Sequence, residues 1–425
     1  MPIKFPHTAS IVALAATACQ QDRSAPATPA TQTRDSAGVE VVENPRPPFG
    51  SRLGWQVAPE PSLTIGASEG DAPYLLHGVR DAMRLPDGRI VVADGSSNEL
   101  RVFDASGTHA ATWSGEGEGP GEFTRLGGVA PWPGDSVIAW DAHRPDLAIF
   151  DPRGNVGRSF SLARTEPATF ATPLHNGEIL AFSEGYEVTS RTGDTRTGGQ
   201  IGHYGIRSGE GILAASLGTF PGRQSYTATM MGTLMVMLLP FSPSISVAPW
   251  GDLAVVAPNH RYEVRAFGTD GTLRRIVRRD HTPVSTTPAH REAFFVEFLR
   301  ERGFSPEVAS NEEEALQQVR QTMGEIPLPE TLPAFATLMT DALGHLWVEE
   351  FRILDGEFEI AGQDTSEGPL WTVFDPDGNV LGFVETPADF RISEIGADYL
   401  LGLAADSLGV EYVRLWPLDR TGTGG

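Results

Sequence analysis

The chain has 425 residues, of which 40% are hydrophobic and 20% charged, so it can bury a sizeable core in one or two domains. Its 55 acidic residues outnumber the 32 basic ones and give a net charge of −23, which excludes nucleic acid as an expected partner. The single cysteine, Cys19, excludes an internal disulfide and a multi-cysteine zinc site. The single lysine, Lys4, excludes a P-loop or Schiff-base lysine in the body of the chain.

The first nineteen residues have the layout of a secretory signal. Lys4 is followed by a short apolar run, Ile11–Ala16, and then by small residues that lead to Cys19. The run is far shorter than the ~20 residues of a membrane-spanning helix. The end of this segment, Ala16-Thr17-Ala18-Cys19, resembles the lipobox of bacterial lipoproteins. The resemblance implies that residues 1–18 are a lipoprotein signal peptide and that Cys19 is lipidated; an ordinary signal with a chance cysteine is the alternative.

The residues after Cys19 predict a membrane tether. Gln20 follows the cysteine, and in the lipoprotein family this implies an outer-membrane destination. From there to Arg52 the sequence is rich in Ala, Pro, Thr and Ser and has few large apolar residues, so it cannot bury enough surface to fold alone. We therefore predict that residues 19–52 are a disordered tether and that the protein is held in the cell envelope through its lipid.

The body opens with a meander of short strands. The turn Leu85-Pro86-Asp87-Gly88 precedes the run Ile90–Ala93, which is apolar at every position, as in a strand covered on both faces. Further turns at Asp94–Asn98 and Asp104–Gly107 separate the next strands. Four strands in about 35 residues is the spacing of a propeller blade.

This unit recurs along the chain. The interval from the first turn to the phenylalanine of the third strand is 16, 15 and 15 residues in three copies: Asp87 to Phe103, Asp135 to Phe150 and Asp252 to Phe267. Further copies lie at 168–220, where a polar insertion is predicted near 186–202, and at 334–384 and 389–417. The six copies predict an all-β fold over residues 53–417, a six-bladed β-propeller of four-stranded antiparallel blades. An N-terminal strand near Trp55–Val57 or Leu63–Ile65 would close the last blade; a stacked solenoid is the structural alternative.

Residues 284–333 interrupt the strands between blades four and five. Thr287-Pro288 offers an N-cap and a first-turn proline, and apolar residues from Phe294 to Leu299 share one helical face. We predict one short helical insertion, either a cap that only covers the end of the ring or a cap that also carries a partner site. Residues 418–425 are predicted to be a flexible tail.

The body resembles the bacterial six-bladed β-propeller proteins related to NHL repeats, in particular their envelope-lipoprotein branch. The motifs that carry this resemblance are Leu85–Asp94, Leu100–Asp104 and Gly117–Phe123. Because most of that family is uncharacterised, the resemblance implies a fold and an envelope location without a reaction.

Candidate ligand-binding residues lie in or near the predicted inner strands. Related six-bladed enzymes, gluconolactonase-like and amidating-lyase-like, hold a divalent ion at the ring centre through such residues. Within these inner-strand neighbourhoods no two acids recur at equivalent blade positions, and the sequence contains no HExxH or HxH motif. We therefore predict no catalytic residue, metal ligand or cofactor, while a divalent cation such as calcium is left open. The candidates are His77, Arg80, Asp81, Arg125, His175, His260 and Glu349.

Three functions fit these observations. The preferred one is a lipid-anchored, monomeric, non-enzymatic propeller that binds an envelope protein, peptide or glycan through the face carrying the 284–333 insertion. The alternative is a metal-dependent propeller enzyme, a lactonase-like or lyase-like hydrolase with its site at the central channel. The third is an architectural scaffold without a specific ligand.

Overall fold

A computed structural model describes residues 30–162, 168–192, 195–230, 233–300, 316–317, 320, 326–352 and 368–422. Within these ranges the protein is nearly all β, with a single α-helix longer than a turn. The signal peptide and the lipidation site predicted at Cys19 lie outside the described residues, as does most of the second half of the 284–333 insertion. No helix in the described ranges is long and apolar enough to cross a membrane.

The strands follow the predicted repeats. Four short strands come first: β1 (Gln32–Ser36), β2 (Val39–Asn44), β3 (Gln56–Val57) and β4 (Leu63–Ile65). Sheet 1 contains β5 (Val79–Arg84), β6 (Ile90–Asp94), β7 (Glu99–Phe103) and β8 (His109–Thr112). Sheet 2 contains β9 (Leu126–Trp132), β10 (Ser136–Asp141), β11 (Asp146–Phe150) and β12 (Val156–Ser161). Sheet 3 contains β13 (Thr169–Pro173), β14 (Ile179–Thr192), β15 (Thr195–Arg207), β16 (Leu213–Met230) and β17 (Thr233–Leu238).

The second half of the chain forms three further sheets. Sheet 4 is built on β18 (Ile245–Trp250), β19 (Leu253–Pro258), β20 (Glu263–Phe267) and β21 (Leu273–Arg279), and helix α1 (Pro288–Arg300) follows it. Sheet 5 contains β22 (Leu338–Thr340), β23 (Leu346–Glu349), β24 (Leu370–Phe374) and β25 (Val380–Glu385). Sheet 6 contains β26 (Phe390–Ile395), β27 (Tyr399–Ala405) and β28 (Glu411–Asp419).

One turn type joins the third and fourth strands of sheets 1 to 5 and joins β27 to β28, the second and third strands, in sheet 6. In sheet 1 the Asp104 carboxylate accepts hydrogen bonds from the backbone N–H groups of Ser106 (2.9 Å) and Thr108 (3.0 Å), and Gly107 takes a φ of +84° that favours glycine. Because this chemistry is local, the same turn forms wherever its residues recur. The equivalent turns begin at Asp151, Ser208, Gly268, Asp375 and Asp406, each with a positive-φ glycine three residues later.

Polar residues that follow the second strand hold the chain entering the sheet. The Asp94 carboxylate accepts a hydrogen bond from the His77 N–H (3.2 Å), and Asp141 accepts one from the Thr124 N–H (2.8 Å). In sheet 4 the Asn259 side-chain oxygen accepts from the Ser244 N–H (2.8 Å). These buried groups are satisfied by backbone donors, so their role is to fix the crossing from one sheet to the next.

The first strands of successive sheets are neighbours around a common centre. Strand β5 contacts β9, β9 contacts β13, β13 contacts β18, and β18 contacts β22. A parallel bridge between Asp341 and Ile395 joins sheets 5 and 6, and β26 contacts β5. The last sheet is completed from the N-terminal side, since β3 and β4 both pair with β28, Val57 opposite Leu418 and Ile65 opposite Val413. The predicted closing strands are confirmed.

The tether prediction is wrong for residues 32–44. Strands β1 and β2 form an antiparallel hairpin, and β2 pairs in parallel with the outer strand β21 of sheet 4. Val41 and Val42 are buried, and the Asn44 amide donates to the backbone oxygen of Gly378 (2.9 Å) in sheet 5. The apolar residues of this strand are in the sequence VEVV, but the average composition of residues 19–52 is too polar to indicate a folded segment.

The flexible-tail prediction is wrong for residues 418–420. Leu418 is buried in the pair with Val57, and Asp419 pairs with Gln56. The Arg420 guanidinium donates to Asp341 Oδ2 (2.7 Å) and to the Gly396 oxygen (2.8 Å). These contacts join residues that are far apart in the sequence, so the local sequence does not predict them.

Sheet 3 is longer than its repeat predicts. The residues predicted as a polar insertion near 186–202 continue β14 and β15, which pair from Ile179–Arg207 out to Thr192–Thr195. The predicted helix is confirmed as α1, and it packs on this extended sheet: Phe295 and Leu299 are buried with Tyr226 and Leu239. The apolar face of α1 therefore covers the sheet.

Candidate functional site

An axial cavity of about 970 Å³ lies among the first strands of all six sheets. It is lined by the ends of these strands and by the turns that follow them. The described segments 284–300 and 326–333 of the insertion follow β21 and precede β22, whereas the cavity turns follow the first strands. The cavity therefore lies at the opposite end of the first strands from these two segments. The aromatic residues of its wall are Trp132, Trp140, Phe170 and Tyr399, and the acidic ones are Asp81, Asp135, Asp341, Glu394 and Asp398.

Asp81 is the most strongly perturbed acid of this cavity. It lies on β5, half-buried, and its Oδ1 accepts a hydrogen bond from the Ala82 N–H (2.9 Å). Gly128 of the neighbouring β9 leaves room for the carboxylate, since a Cβ at that glycine would lie 3.3 Å from Asp81 Oδ2. Burial raises the pKa of Asp81 to about 6, although the nearby Ser393 hydroxyl, the Ala82 N–H and the Arg391 charge act in the opposite direction.

Glu394 is the second perturbed acid, on the adjacent first strand β26. Its two oxygens accept hydrogen bonds from the Arg84 backbone N–H (2.7 Å) and from the Tyr399 hydroxyl (2.5 Å). Burial raises the pKa of Glu394, and the hydrogen bonds and the Arg84 charge only partly offset this. Burial and the Glu394 charge in turn raise the pKa of Tyr399. Two half-buried carboxyls whose pKa values are raised thus lie on neighbouring first strands, in sheets 1 and 6.

Asp341 behaves in the opposite way. Burial alone would raise its pKa, but hydrogen bonds from His345 (2.9 Å), the Trp347 indole N–H (3.0 Å) and Arg420 (2.7 Å) lower the pKa of Asp341 to about 2. Its charge is compensated within the protein, so Asp341 is part of the framework of the cavity.

We expect Asp81→Asn to stabilise the protein at pH 8 and to change its stability little at pH 4. The folded pKa of about 6 exceeds the ordinary value of 3.8, so ionising Asp81 costs free energy only in the folded state. The cost is small near pH 4, grows as the pH rises to 6, and stays at its full size above, roughly 3 kcal/mol at most. Urea unfolding of wild type and variant at pH 4 and pH 8 measures the difference in free energy of unfolding. The control is Asp135→Asn, an exposed carboxyl on the same cavity; an equal gain for Asp81→Asn at both pH values would contradict the assignment.

A smaller cavity of about 420 Å³ lies beside the axial one. Phe170, Ala171 and Val247 line both cavities. The outer wall of the smaller cavity comes from the extended part of sheet 3, through Glu184, Gln200, Gly202, Gly222, Arg223 and Leu238. The extension of sheet 3 therefore builds a wall that the other sheets lack in the described part of the chain.

The predicted site residues do not converge. Of the seven, only Asp81 and His175 line the axial cavity, and His175 is exposed at its rim. His77 and Arg80 are exposed at the start of β5, and the exposed Arg125 contacts His143. His260 is exposed after β19, while Glu349 is half-buried on β23, where burial raises its pKa. Among the residues that the structure describes, no three His, Cys, Asp or Glu side chains are grouped so that they could hold a metal ion.

Sequence analysis missed Glu394, Tyr399 and the tryptophans of the cavity wall. Glu394 lies in the last predicted copy, at 389–417, and because no second acid recurs at an equivalent blade position, the repeat pattern gives no signal for it. Asp81 and Glu394 are adjacent only because the last sheet packs against the first.

Comparisons with known proteins do not assign a family. No family profile matches the sequence, and no curated protein matches it. Several solved structures are similar over most of the chain, and they come from propeller-like families. A protein described as exported from Bacteroides fragilis is 11% identical with a TM-score of 0.47, over 89% of this chain and 99% of that one.

Two further structures are similar over most of their length. A member of the DUF4221 family from Bacteroides vulgatus is 9% identical with a TM-score of 0.44, covering 86% of this chain and 99% of that one. Virginiamycin B lyase from Staphylococcus aureus is 9% identical with a TM-score of 0.35, covering 85% and 99%. At these values the likeness carries no argument about function, which has to come from the site itself.

Proposed function

We propose that this protein is a six-bladed β-propeller of the cell envelope that binds a small ligand in its axial cavity without transforming it. The observation that carries the proposal is the cavity of about 970 Å³, which contains an aromatic wall and two carboxyls held in an unfavourable environment. Its volume lies in the range of small-molecule sites, and convergent polar groups on an apolar wall are what such sites share. The lipid anchor at Cys19 and the outer-membrane location belong to this proposal.

The insertion face is the weaker candidate for binding. The partner predicted for that face is a protein, peptide or glycan, and the alternative is a cap that only covers the end of the ring. Phe295 and Leu299 are buried against sheet 3, which favours a cap over an exposed recognition surface. A monomeric state fits a ligand site contained in one chain and remains part of the proposal.

A catalytic function is the second candidate. A carboxyl with a pKa of about 6 in a cavity is also suited to general acid–base chemistry. Hydrolysis of a lactone or ester by the purified protein, lost in Asp81→Asn, would establish this candidate in place of simple binding. Stoichiometric calcium or zinc in elemental analysis would make it the metal-dependent enzyme considered above.

Blocking the cavity tests the binding function. A defined library of sugars, amino acids, amines and carboxylic acids is screened by thermal shift against wild type and Ala130→Trp, since Ala130 lines the cavity on β9. We expect at least one compound to raise the Tm of the wild type in a dose-dependent way, following the RT ln(1 + [L]/Kd) law, and to have no effect on Ala130→Trp. Ala105→Trp, in an exposed outer turn, is the matched control that keeps the response. If every stabilising compound acts equally on all three proteins, the cavity is not the site.

A further inference from the structure

The wall of the axial cavity carries more acidic than basic side chains. In the described part of its wall there are five carboxyl groups, on Asp81, Asp135, Asp341, Glu394 and Asp398, and one guanidinium, on Arg84. Arg84 lies over the ring of Tyr399, 4.8 Å from its centroid. His175 is the remaining titratable group, exposed at the rim. The protein itself carries a net charge of −23, so the field at the cavity favours cations.

The two half-buried carboxyls lack a cationic partner within salt-bridge distance in the described chain. In the described chain, Asp81 and Glu394 accept hydrogen bonds from neutral groups, namely the Ala82 and Arg84 backbone N–H groups and the Tyr399 hydroxyl. Arg391, which is close enough to influence Asp81, donates instead to the backbone oxygens of Val79 (3.3 Å) and Arg80 (2.9 Å). By contrast, Asp341 is paired with Arg420 at 2.7 Å. The Arg391 and Arg84 charges act on Asp81 and Glu394 without forming a salt bridge. A half-buried carboxylate that forms no salt bridge gains most from a cation that arrives with a ligand.

The cavity wall next to Asp81 is aromatic. Trp140 of sheet 2 lies close to Asp81, because a Cβ at Gly128 would lie 2.5 Å from the Trp140 ring and 3.3 Å from Asp81 Oδ2. Trp140 and Phe170 lie in contact, with ring centroids 4.5 Å apart, and Trp132 also lines the cavity. Aromatic faces attract cations and also bury apolar surface, so the wall suits a ligand that combines the two. Two carboxyls beside an aromatic wall disfavour an anionic ligand, which would be repelled and would leave them uncompensated.

We propose that the ligand of the axial cavity is an amphiphilic amine, a molecule with one cationic nitrogen attached to an apolar or aromatic body. Asp81 provides the main countercharge, Glu394 the second, and Trp132, Trp140 and Phe170 contact the apolar part. This inference rests on the proposed binding function and specifies its ligand class.

Three indole probes whose side chains end in groups of different charge test the inference: tryptamine is cationic, tryptophol neutral and indole-3-acetate anionic. Their binding to the purified protein is measured by isothermal titration calorimetry at pH 8. We expect tryptamine to bind at least about 10-fold more tightly than tryptophol, the gain of one good charge-assisted contact, and indole-3-acetate to bind weakest. Asp81→Asn should abolish the preference for tryptamine and leave tryptophol binding unchanged, whereas Asp377→Asn, which removes an exposed carboxyl from an outer turn away from the cavity, should keep the preference. In the wild type, the preference should also fall between pH 8 and pH 5 as Asp81 becomes protonated.

The outcomes separate this inference from the function on which it rests. If the three probes bind equally and Ala130→Trp blocks all of them, the cavity is a binding site and the amine preference is wrong. If tryptamine fails to bind while library compounds of another class respond to Ala130→Trp, the inference is again overturned and the binding function stands. If neither the probes nor the library respond to Ala130→Trp, both proposals fall.

Discussion

Replacing Arg279 with methionine is expected to lower the free energy of unfolding by about 3–5 kcal/mol, the usual cost of breaking a buried ion pair. Arg279 ends β21 in sheet 4 and donates to both carboxylate oxygens of Glu350 in sheet 5, at 2.7 and 3.1 Å. The Arg279 side chain is fully buried, and its guanidinium lies 3.7 Å from the Tyr262 ring centroid. The variant would leave the Glu350 carboxylate buried with only the hydroxyl groups of Tyr262 (2.9 Å) and Thr372 (2.8 Å) as partners.

The double variant Arg279→Met, Glu350→Leu is the matched control. Since the uncompensated charge causes most of the loss, removing both charges should recover much of the stability that is lost in Arg279→Met. Equilibrium unfolding in urea, with equal m-values for all proteins, measures the free energies. A double variant at least as unstable as Arg279→Met would show that the pair acts through packing and not through its charge.

Replacing Arg420 with alanine is expected to cost about 2–4 kcal/mol, although the residue lies in the segment predicted as a flexible tail. Its guanidinium joins Asp341 of sheet 5 to the Gly396 oxygen of sheet 6, and it lies over the ring of Trp55, 4.3 Å from its centroid. Trp55 in turn contacts Trp347, with centroids 5.7 Å apart. The residue thus holds together the N-terminal strand, the last strand and the fifth sheet, where the ring of sheets is closed.

The contribution of this contact depends on pH in a defined direction. The pKa of Asp341 is about 2 in the folded protein against an ordinary 3.8, so its stabilisation, roughly 2 kcal/mol, is present above about pH 4 and is lost as the pH falls towards 2. The difference between wild type and Arg420→Ala should therefore narrow in acid. The exposed pair of Arg274 and Asp270 supplies the control, because Arg274→Ala should cost less than about 0.5 kcal/mol. Equal losses for Arg420→Ala and Arg274→Ala in urea unfolding at pH 7 would contradict a structural role for Arg420.

Much of the fold could be predicted because its signals are local. The Asp104–Gly107 turn and its equivalents are specified by a side chain that bonds the backbone two to four residues ahead and by a glycine at positive φ. The run Ile90–Ala93 is buried at every position, as its composition predicts. The start of α1 at Pro288 follows from the fixed φ of proline.

The candidate site could be predicted only in part, because its residues meet through long-range packing. The place of Asp81 on an inner strand predicts its role, but of the other six candidates only His175 lines the same cavity. Asp94 and Asp141 end the second strands of sheets 1 and 2, and in sequence they are as plausible site residues as Asp81. In the structure their carboxylates accept hydrogen bonds from backbone N–H groups.

The sequence by itself determined the repeated unit of strands and turns and the helical insertion, because each depends on residues a few positions apart. It also determined the acidic net charge, which depends on composition alone. Only the tertiary structure decided which carboxyls lie half-buried at the axis, and that residues 32–44 and 418–420 belong to the folded body. The physical reason is that a pKa, a strand edge or an ion pair depends on what lies beside it in space. In a closed ring of sheets those neighbours come from distant parts of the chain, as Asp81 and Glu394 do.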